Sequence, residues 1–412
     1  MTDQFRPLAD AESKALGMPQ IPLAVMPHPL GGRKESEVAI LAEKAFSDIT
    51  EHLSRSEGHS ANDIVSDAPQ QFSIEGDFDA QQEFFYAKGW SDGLPLMPPT
   101  PEKVKAMLSA AGRDPEEILG SFPPAWAEAT VQKIAINTVM AGCLPSYFPV
   151  VLAAVEAMLE DQFNLYGIQA TTHPCGALLI VNGPIARQLD MNSKGNCFGQ
   201  GRRANAAIGR AVRLVMQNVG GGIPIELDKA TMGQPGKFTS CIAENEDDSP
   251  WEPFHVGRGF DASTSTVTVA AAEAPQNIND HGSTSAEGLL TTISGAVGSA
   301  GNNNLYKVGD LFVVLGPEHA ATIAEGGYSK QDVQEYIFEH ARVPINKISE
   351  EQLHHMQAGR EDFIEPDGTL RIAPMASAIN VVVAGGPGKH SMWIPTFGVT
   401  YSVTKAVRSK ET

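Results

Sequence analysis

Cysteine is scarce in this chain: four among 412 residues, at positions 143, 175, 197 and 241. No two stand as CxxC, so a zinc ribbon or dithiol redox motif is not expected, and the count is too low for a disulfide scaffold. A reducing cytoplasm is the expected location. Basic residues are also few, with 30 Lys and Arg against 49 Asp and Glu and a formal net charge of -19. This argues against nucleic acid or an anionic membrane surface as partner, since both require a basic face. The phosphate-binding loop GxxxxGK[ST] is missing. A dinucleotide fingerprint fails too, because Ala204 stands where the third glycine after Gly199 and Gly201 belongs. HExxH and HxH spacings are absent, and the N-terminus has no apolar h-region, so no signal peptide is expected. The long apolar run from Ile134 to Leu159 contains Asn137, Pro145, Pro149 and Glu156. It reads as buried core, not as a membrane span.

What is present is an ordinary globular composition, 42% hydrophobic and 19% charged. Residues 1–57 read as a small appended α/β element: a strand at "IPLAV", a Pro/Gly turn, then an amphipathic helix with Val38, Leu41, Ala45, Ile49 and Leu53 on one face. Residues 58–80 are polar and aperiodic, a linker. The main body, 81–412, opens with the turn-rich "GWSDGLPLMPPT", after which Pro101 can start a helix. Short apolar runs at "GALLIVNGP", "DLFVVLGPEH" and "INVVVAGGPGKH" read as strands buried on both faces. Helical patterns fill 203–217, 285–297 and 329–341. The expected fold class is α/β, with mixed sheets and helices.

An internal repeat is suggested by two 30-residue stretches, 137–166 and 277–306. Each begins with Asn, carries Gly five residues on and ends in Asn-Leu-Tyr; only five of the thirty positions are identical. Each is followed by an apolar run ending in Gly-Pro. The expectation is two related units, about 130–184 and 270–317, packed around a shared site. Cys143 and Ser283 then occupy matching places, both at helix N-termini, where backbone amides bind anions and the dipole lowers a thiol pKa. Cys143 is the candidate nucleophile, with His281 or His173 as acid/base and Ser283 as a hydrogen-bonding counterpart. The plainer reading of Cys143 is a buried cap without chemistry. Asn137, Asn277, Asn279, Thr172, Arg203 and Asn205 are candidate substrate-binding residues. No cofactor is expected; the alternative is a divalent metal held by His173, His281 and His319 with a carboxylate such as Glu244 or Glu318. The run Glu246-Asp247-Asp248 reads as a solvated loop.

Residues 5–45, "FRPLADAESKALGMPQIPLAVMPHPLGGRKESEVAILAEKA", resemble the C-terminal end of the UGSC-type selenoprotein family, which is related to the selenocysteine end of a glycine reductase subunit. "GWSDGLPLMPPT", "INTVMAGCLPSYFPVVLAAVEAML", "NLYGIQATTHP", "LLIVNGP" and "NINDHGSTSAEG" resemble the larger protein that accompanies or is fused to that family. No UGSC or CGSC motif is present, so a redox centre of that type would have to come from a separate subunit. The residues point to thiol-dependent chemistry on a small polar, anionic or amide-like substrate, and the resemblance leans this toward reductive cleavage with a partner subunit; a homo-oligomer or such a hetero-complex is the expected assembly. Alternatives are a metal-dependent hydrolase or lyase, and a non-catalytic ligand-binding subunit.

Overall fold

The structure is a computed structural model that describes residues 1–19, 21–54, 71–306, 309–357 and 364–408. Most of the linker expected at 58–80 lies outside the described residues. The chain begins with helices α1 (Arg6–Ala15) and α2 (Glu35–Ser54), then α3 (Phe78–Ala87) and α4 (Pro101–Ala111). A hairpin of β1 (Ile118–Phe122) and β2 (Ala127–Thr130) leads to α5 (Val131–Met140), α6 (Phe148–Met158), α7 (Leu165–Ala170), β3 (Gly176–Asn182), α8 (Pro184–Gln188) and α9 (Arg203–Asn218). Next come β4 (Cys241–Ala243), β5 (Thr266–Ala272), β6 (Gln276–Asn279), α10 (Ala286–Val297), α11 (Asn303–Tyr306), β7 (Leu311–Leu315), α12 (Pro317–Glu325) and α13 (Lys330–His340). The last part holds β8 (Arg342–Pro344), α14 (Glu350–Gln357), β9 (Thr369–Arg371), β10 (Ile379–Val383), β11 (His390–Ile394) and β12 (Val403–Ala406). The class is mixed α/β, as the alternation of apolar runs and helical patterns predicts. Among the described residues no helix is long and apolar enough to cross a membrane.

Two four-stranded sheets form the centre. Sheet A runs β12-β5-β3-β4 and sheet B runs β6-β11-β7-β10. In A, β3 is parallel to β4 and antiparallel to β5, which is antiparallel to β12. In B, β7 is parallel to β10 and antiparallel to β11, which is antiparallel to β6. The two sheets therefore share one strand order and one set of directions. The outer strands cross over in the chain: β6 follows β5 yet joins sheet B, and β12 follows β11 yet joins sheet A.

The side-chain period of two builds the layers. Leu178, Ile180, Ile242 and Ala270 of sheet A pack against Phe312, Val314, Val382 and Ile394 of sheet B. The alternate residues Leu179, Val181, Val267 and Val269 face the helices of the first half, chiefly α5, α6 and α9. Leu311, Val313, Val381 and Trp393 face α10, α12 and α13. The result is a helix–sheet–sheet–helix stack. Strands covered on both faces need apolar residues at every position, which is why they read as unbroken apolar runs.

Two expectations change. "IPLAV" forms no strand; the segment makes one bridge, Thr2 to Met26. Pro22 removes an amide from any ladder there. The helix expected beside it is α2, and its large apolar side chains Ile40, Phe46 and Leu53 are exposed. The two 30-residue stretches do not correspond residue by residue. Asn137 lies inside helix α5, whereas Asn277 lies on strand β6. A likeness in element order starts only at α6 and α10: helix, short helix at Asn-Leu-Tyr, buried strand, Gly-Pro helix. Even there the asparagines differ in task. Asn164 adopts φ 55° and caps α7, while Asn304 is buried and its Nδ2 donates to Asp310 O at 3.2 Å.

Candidate functional site

The parallel strands β3 and β4 end side by side, and their C-terminal ends deliver Asn182 and Glu244 to one place. Such ends are where open α/β sheets collect their binding groups. Asn182 Nδ2 donates to Glu244 Oε2 at 2.5 Å and to Glu246 Oε1 at 3.0 Å. The Phe254 amide donates to Glu244 Oε2 at 2.6 Å, and the Gly183 amide to Glu246 Oε1 at 2.7 Å. Glu244 Oε1 has no hydrogen-bond partner; Lys330 Nζ lies 3.8 Å away. Four more atoms are buried without a partner: Asn182 Oδ1, Thr266 Oγ1 and both ring nitrogens of His255. Asn182 and Thr266 face each other across the sheet. His255 Nδ1 stands 3.9 Å from Glu246 Oε1.

Burial shifts this group. The Glu244 side chain is 0% exposed. Its pKa is raised, first by burial and then by Glu246, against the pull of Lys330, the Phe254 amide and Asn182. Lys330, at the first position of α13, is shifted down by burial, with Glu244 and Glu252 opposing. The chain covering the cluster is the connection from Glu244 to Ser265, which has neither helix nor strand. Trp251 Nε1 donates to Tyr328 O at 3.0 Å, and Lys330 Nζ to Glu252 O at 2.7 Å. Arg258 lies over the Phe254 ring at 4.7 Å and donates to Ser402 Oγ at 2.6 Å. Long connections without secondary structure inside a compact domain are commonly functional.

The residues singled out in the sequence fall into separate places. Cys143 follows α5 instead of opening a helix. Gly142 has φ 83°, its amide donates to Val139 O at 2.8 Å, and the Cys143 amide donates to Thr138 O at 3.2 Å. This is a Schellman-type ending, at the carbonyl end of the helix dipole. Pro145 does open a turn, Pro145–Tyr147, that leads into α6, but the Cys143 amide is already spent. Burial pushes the thiol far up, outweighing the nearby charges of Arg203 and Arg210. The surroundings do not favour a thiolate. Arg203 does come beside Cys143, yet its guanidinium is used on Gly142 O, at 2.7 and 3.1 Å. Asn205 brackets the Asn192 backbone and donates to Cys241 O at 3.1 Å. Asn137 joins α5 to α9 by accepting from Asn218 Nδ2 at 2.8 Å.

His173 lies at the far end of sheet A, where its Nε2 is 2.7 Å from Glu273 Oε1. Thr172, one residue earlier, accepts the Thr231 amide on its carbonyl at 2.9 Å. Ser283 precedes α10, whose cap is Ser285, and donates through Oγ to Asp280 at 2.8 Å. Asp280 is held far below the usual carboxylate range by donors from Thr292, Ser283 and Gly282. His281, Asn277 and Asn279 meet around His390 at the edge of sheet B. His319 is buried, with Nδ1 2.8 Å from Ser391 Oγ and Nε2 3.1 Å from Asp280 O. Thus Cys143 and Arg203 meet in one place, His281, Asn277 and Asn279 in another, and the two sets occupy different layers. Among the described residues no group of three or more His, Cys, Asp or Glu side chains is arranged to hold a metal ion.

Asn182, His255 and Thr266 were not singled out, and Glu246 was read as solvated. A signal existed for Asn182, the polar end of an apolar run, of the same kind as for Glu244, which follows the apolar "CIA" directly. Nothing local marks His255.

The thiols differ enough for a direct measurement. Cys197 is pushed up to about 11, Cys175 to about 12, and Cys143 and Cys241 higher still. Under limiting iodoacetamide, Cys197 should be alkylated before the other three, as read by peptide mass spectrometry. Labelling of Cys143 first would overturn this order.

No curated protein matches the chain, and no solved structure matches it. Residues 1–55 match the UGSC family, a likeness that covers the N-terminal element with α1 and α2 and none of the residues described above.

Proposed function

We propose that the cluster of Asn182, Glu244, His255 and Thr266 is the working site of an enzyme that acts on a small polar molecule by proton transfer, of hydrolase or lyase type. The observation that supports this reading is a buried carboxyl group with one unpartnered oxygen, joined through Asn182 to Glu246, which stands 3.9 Å from an imidazole with neither nitrogen bonded. Buried polar atoms without partners are rare in folded proteins, and several in one cluster suggest a place for a ligand. A carboxyl raised by burial can hold a proton near neutral pH and hand it to a substrate oxygen or nitrogen. His255 would take the proton released by an attacking water or by the substrate. Asn182 Oδ1 and Thr266 Oγ1 would orient the bound molecule. The connection from Glu244 to Ser265 covers the cluster, so entry requires it to lift. A thiolate reaction at Cys143 draws no support from its surroundings, because burial and the helix carbonyl end both favour the neutral thiol.

The test is a thermal-shift screen of the full chain against small carboxylates, amides and polyols, followed by calorimetry on the hits. A ligand that binds the wild type and loses at least tenfold in affinity in both Glu244→Gln and His255→Gln is expected. Ligands that bind both variants as tightly as the wild type would sink the reading.

A further inference from the structure

His281 and His390 stand on the edge of sheet B, away from the Glu244 cluster. His390 opens β11, opposite Asn279 of β6, and His281 follows β6 by two residues. Both are exposed, and their Nε2 atoms are 3.4 Å apart, with the ring planes at 79°. His390 Nδ1 lies 3.1 Å from Asn277 Oδ1. An amide oxygen only accepts, so Nδ1 carries the proton and Nε2 of His390 presents a lone pair. A contact of 3.4 Å is long for a hydrogen bond between two nitrogens. It matches the bite of a tetrahedral metal ion: two Zn–N bonds of about 2.0–2.1 Å at the tetrahedral angle place the nitrogens about 3.3–3.4 Å apart. An octahedral right angle would need only about 2.8–3.0 Å at the same bond lengths. Asn277 has the place of an outer partner that fixes the tautomer and orientation of a metal-binding imidazole.

We propose that His281 and His390 form a two-histidine site for a tetrahedral divalent transition metal, zinc by preference. Water or a small anionic ligand fills the two open positions. The nearby charges are mixed. Asp280 and Glu318 are anionic, but Asp280 is satisfied by its turn and Glu318 Oε1 accepts the Gly388 amide at 2.7 Å; Lys389 is cationic. With only two protein ligands the site keeps open positions and is open to exchange. Because one ligand follows β6 and the other begins β11, the metal ties edge strand β6 to its neighbour. Soft or N-ligand-seeking ions suit the pair, whereas magnesium and calcium do not.

The experiment uses the tag-free full chain and titrates Zn²⁺ and Co²⁺. Expected are one equivalent of each bound, visible Co²⁺ absorption of tetrahedral intensity, and a zinc-dependent rise in melting temperature. His281→Ala and His390→Gln should each weaken binding at least tenfold, and Asn277→Ala should weaken it by about 10-fold or more. The control His354→Ala/His355→Ala removes other exposed imidazoles and should leave binding unchanged. No stoichiometric binding by the wild type, binding equal in His281→Ala and His390→Gln, or an octahedral Co²⁺ spectrum would each overturn the proposal. His281 sits on an exposed turn, so His281→Ala tests the ligand without removing a core contact.

Discussion

Glu244→Ala should lower the unfolding free energy by about 3–5 kcal/mol, the range for breaking a buried ion pair from one side. The Glu244 side chain is fully buried and Lys330 is 16% exposed. Removing the carboxyl leaves the Phe254 amide without its acceptor and Lys330 without its counter-charge. Glu244→Gln keeps an acceptor in place and should cost about 1–2 kcal/mol. Urea unfolding of the two variants checks this; a loss below about 1 kcal/mol for the alanine variant would mean that the network does not hold the loop. The pH dependence has a definite sign. Burial raises the Glu244 pKa in the folded state, so between the ordinary glutamate value and the raised one the folded chain binds more protons than the unfolded chain. The contribution of Glu244 is therefore fully present below the ordinary value and is lost as pH climbs through the raised one. Lys330, shifted down, acts oppositely, at alkaline pH, and gains as pH rises toward the ordinary lysine value. As pH rises above the ordinary glutamate value the wild type should thus lose stability relative to Glu244→Gln. A flat difference across that window would contradict the raised carboxyl.

Arg210→Met should be comparably damaging, again by about 3–5 kcal/mol. Its guanidinium meets Asp92 through two bonds of 2.8 Å, and the side chains of Asp92 and Arg210 are 4% and 15% exposed. The same group also donates to the carbonyls of Leu94 and Pro95 at 3.1 and 3.0 Å. Further along α9, Gln217 donates to Ser91 O and Asn218 to Trp90 O, both at 3.0 Å. The turn "WSDGLP" is thereby laid along the polar side of α9. Methionine keeps the apolar stem but strands the Asp92 carboxylate. The double variant Asp92→Ala/Arg210→Met should recover part of the loss, because neither charge is then left alone. Additive losses in the double-mutant cycle would show that the two side chains are not coupled.

Much of the element order was legible from local pattern. The apolar runs became β3, β7 and β10, and the helical patterns at 203–217, 285–297 and 329–341 became α9, α10 and α13. Each depends on residues a few positions apart, so the pattern and the element share one scale. "IPLAV" had strand composition but no neighbour to pair with, and a strand exists only in a ladder. The placement of Cys143 at a helix start failed for a related reason. Proline after a small residue suggests a helix start, yet the preceding α5 had already taken that amide for its own ending.

What the sequence by itself determined was the class, mixed α/β, and which segments had to be buried on both faces. Only the tertiary structure decided which side chains meet. Asn182 reaches Glu244 across 62 positions, His281 reaches His390 across 109, and Asp92 reaches Arg210 across 118. The first follows from the parallel pairing of β3 with β4, the second from β6 leaving the sheet of its sequence neighbour β5 to pair with β11, and the third from the packing of the turn before α4 on helix α9. A strand's hydrophobic period specifies which faces it buries but not beside which partner, because the backbone hydrogen bonds that join strands are the same whatever the side chains.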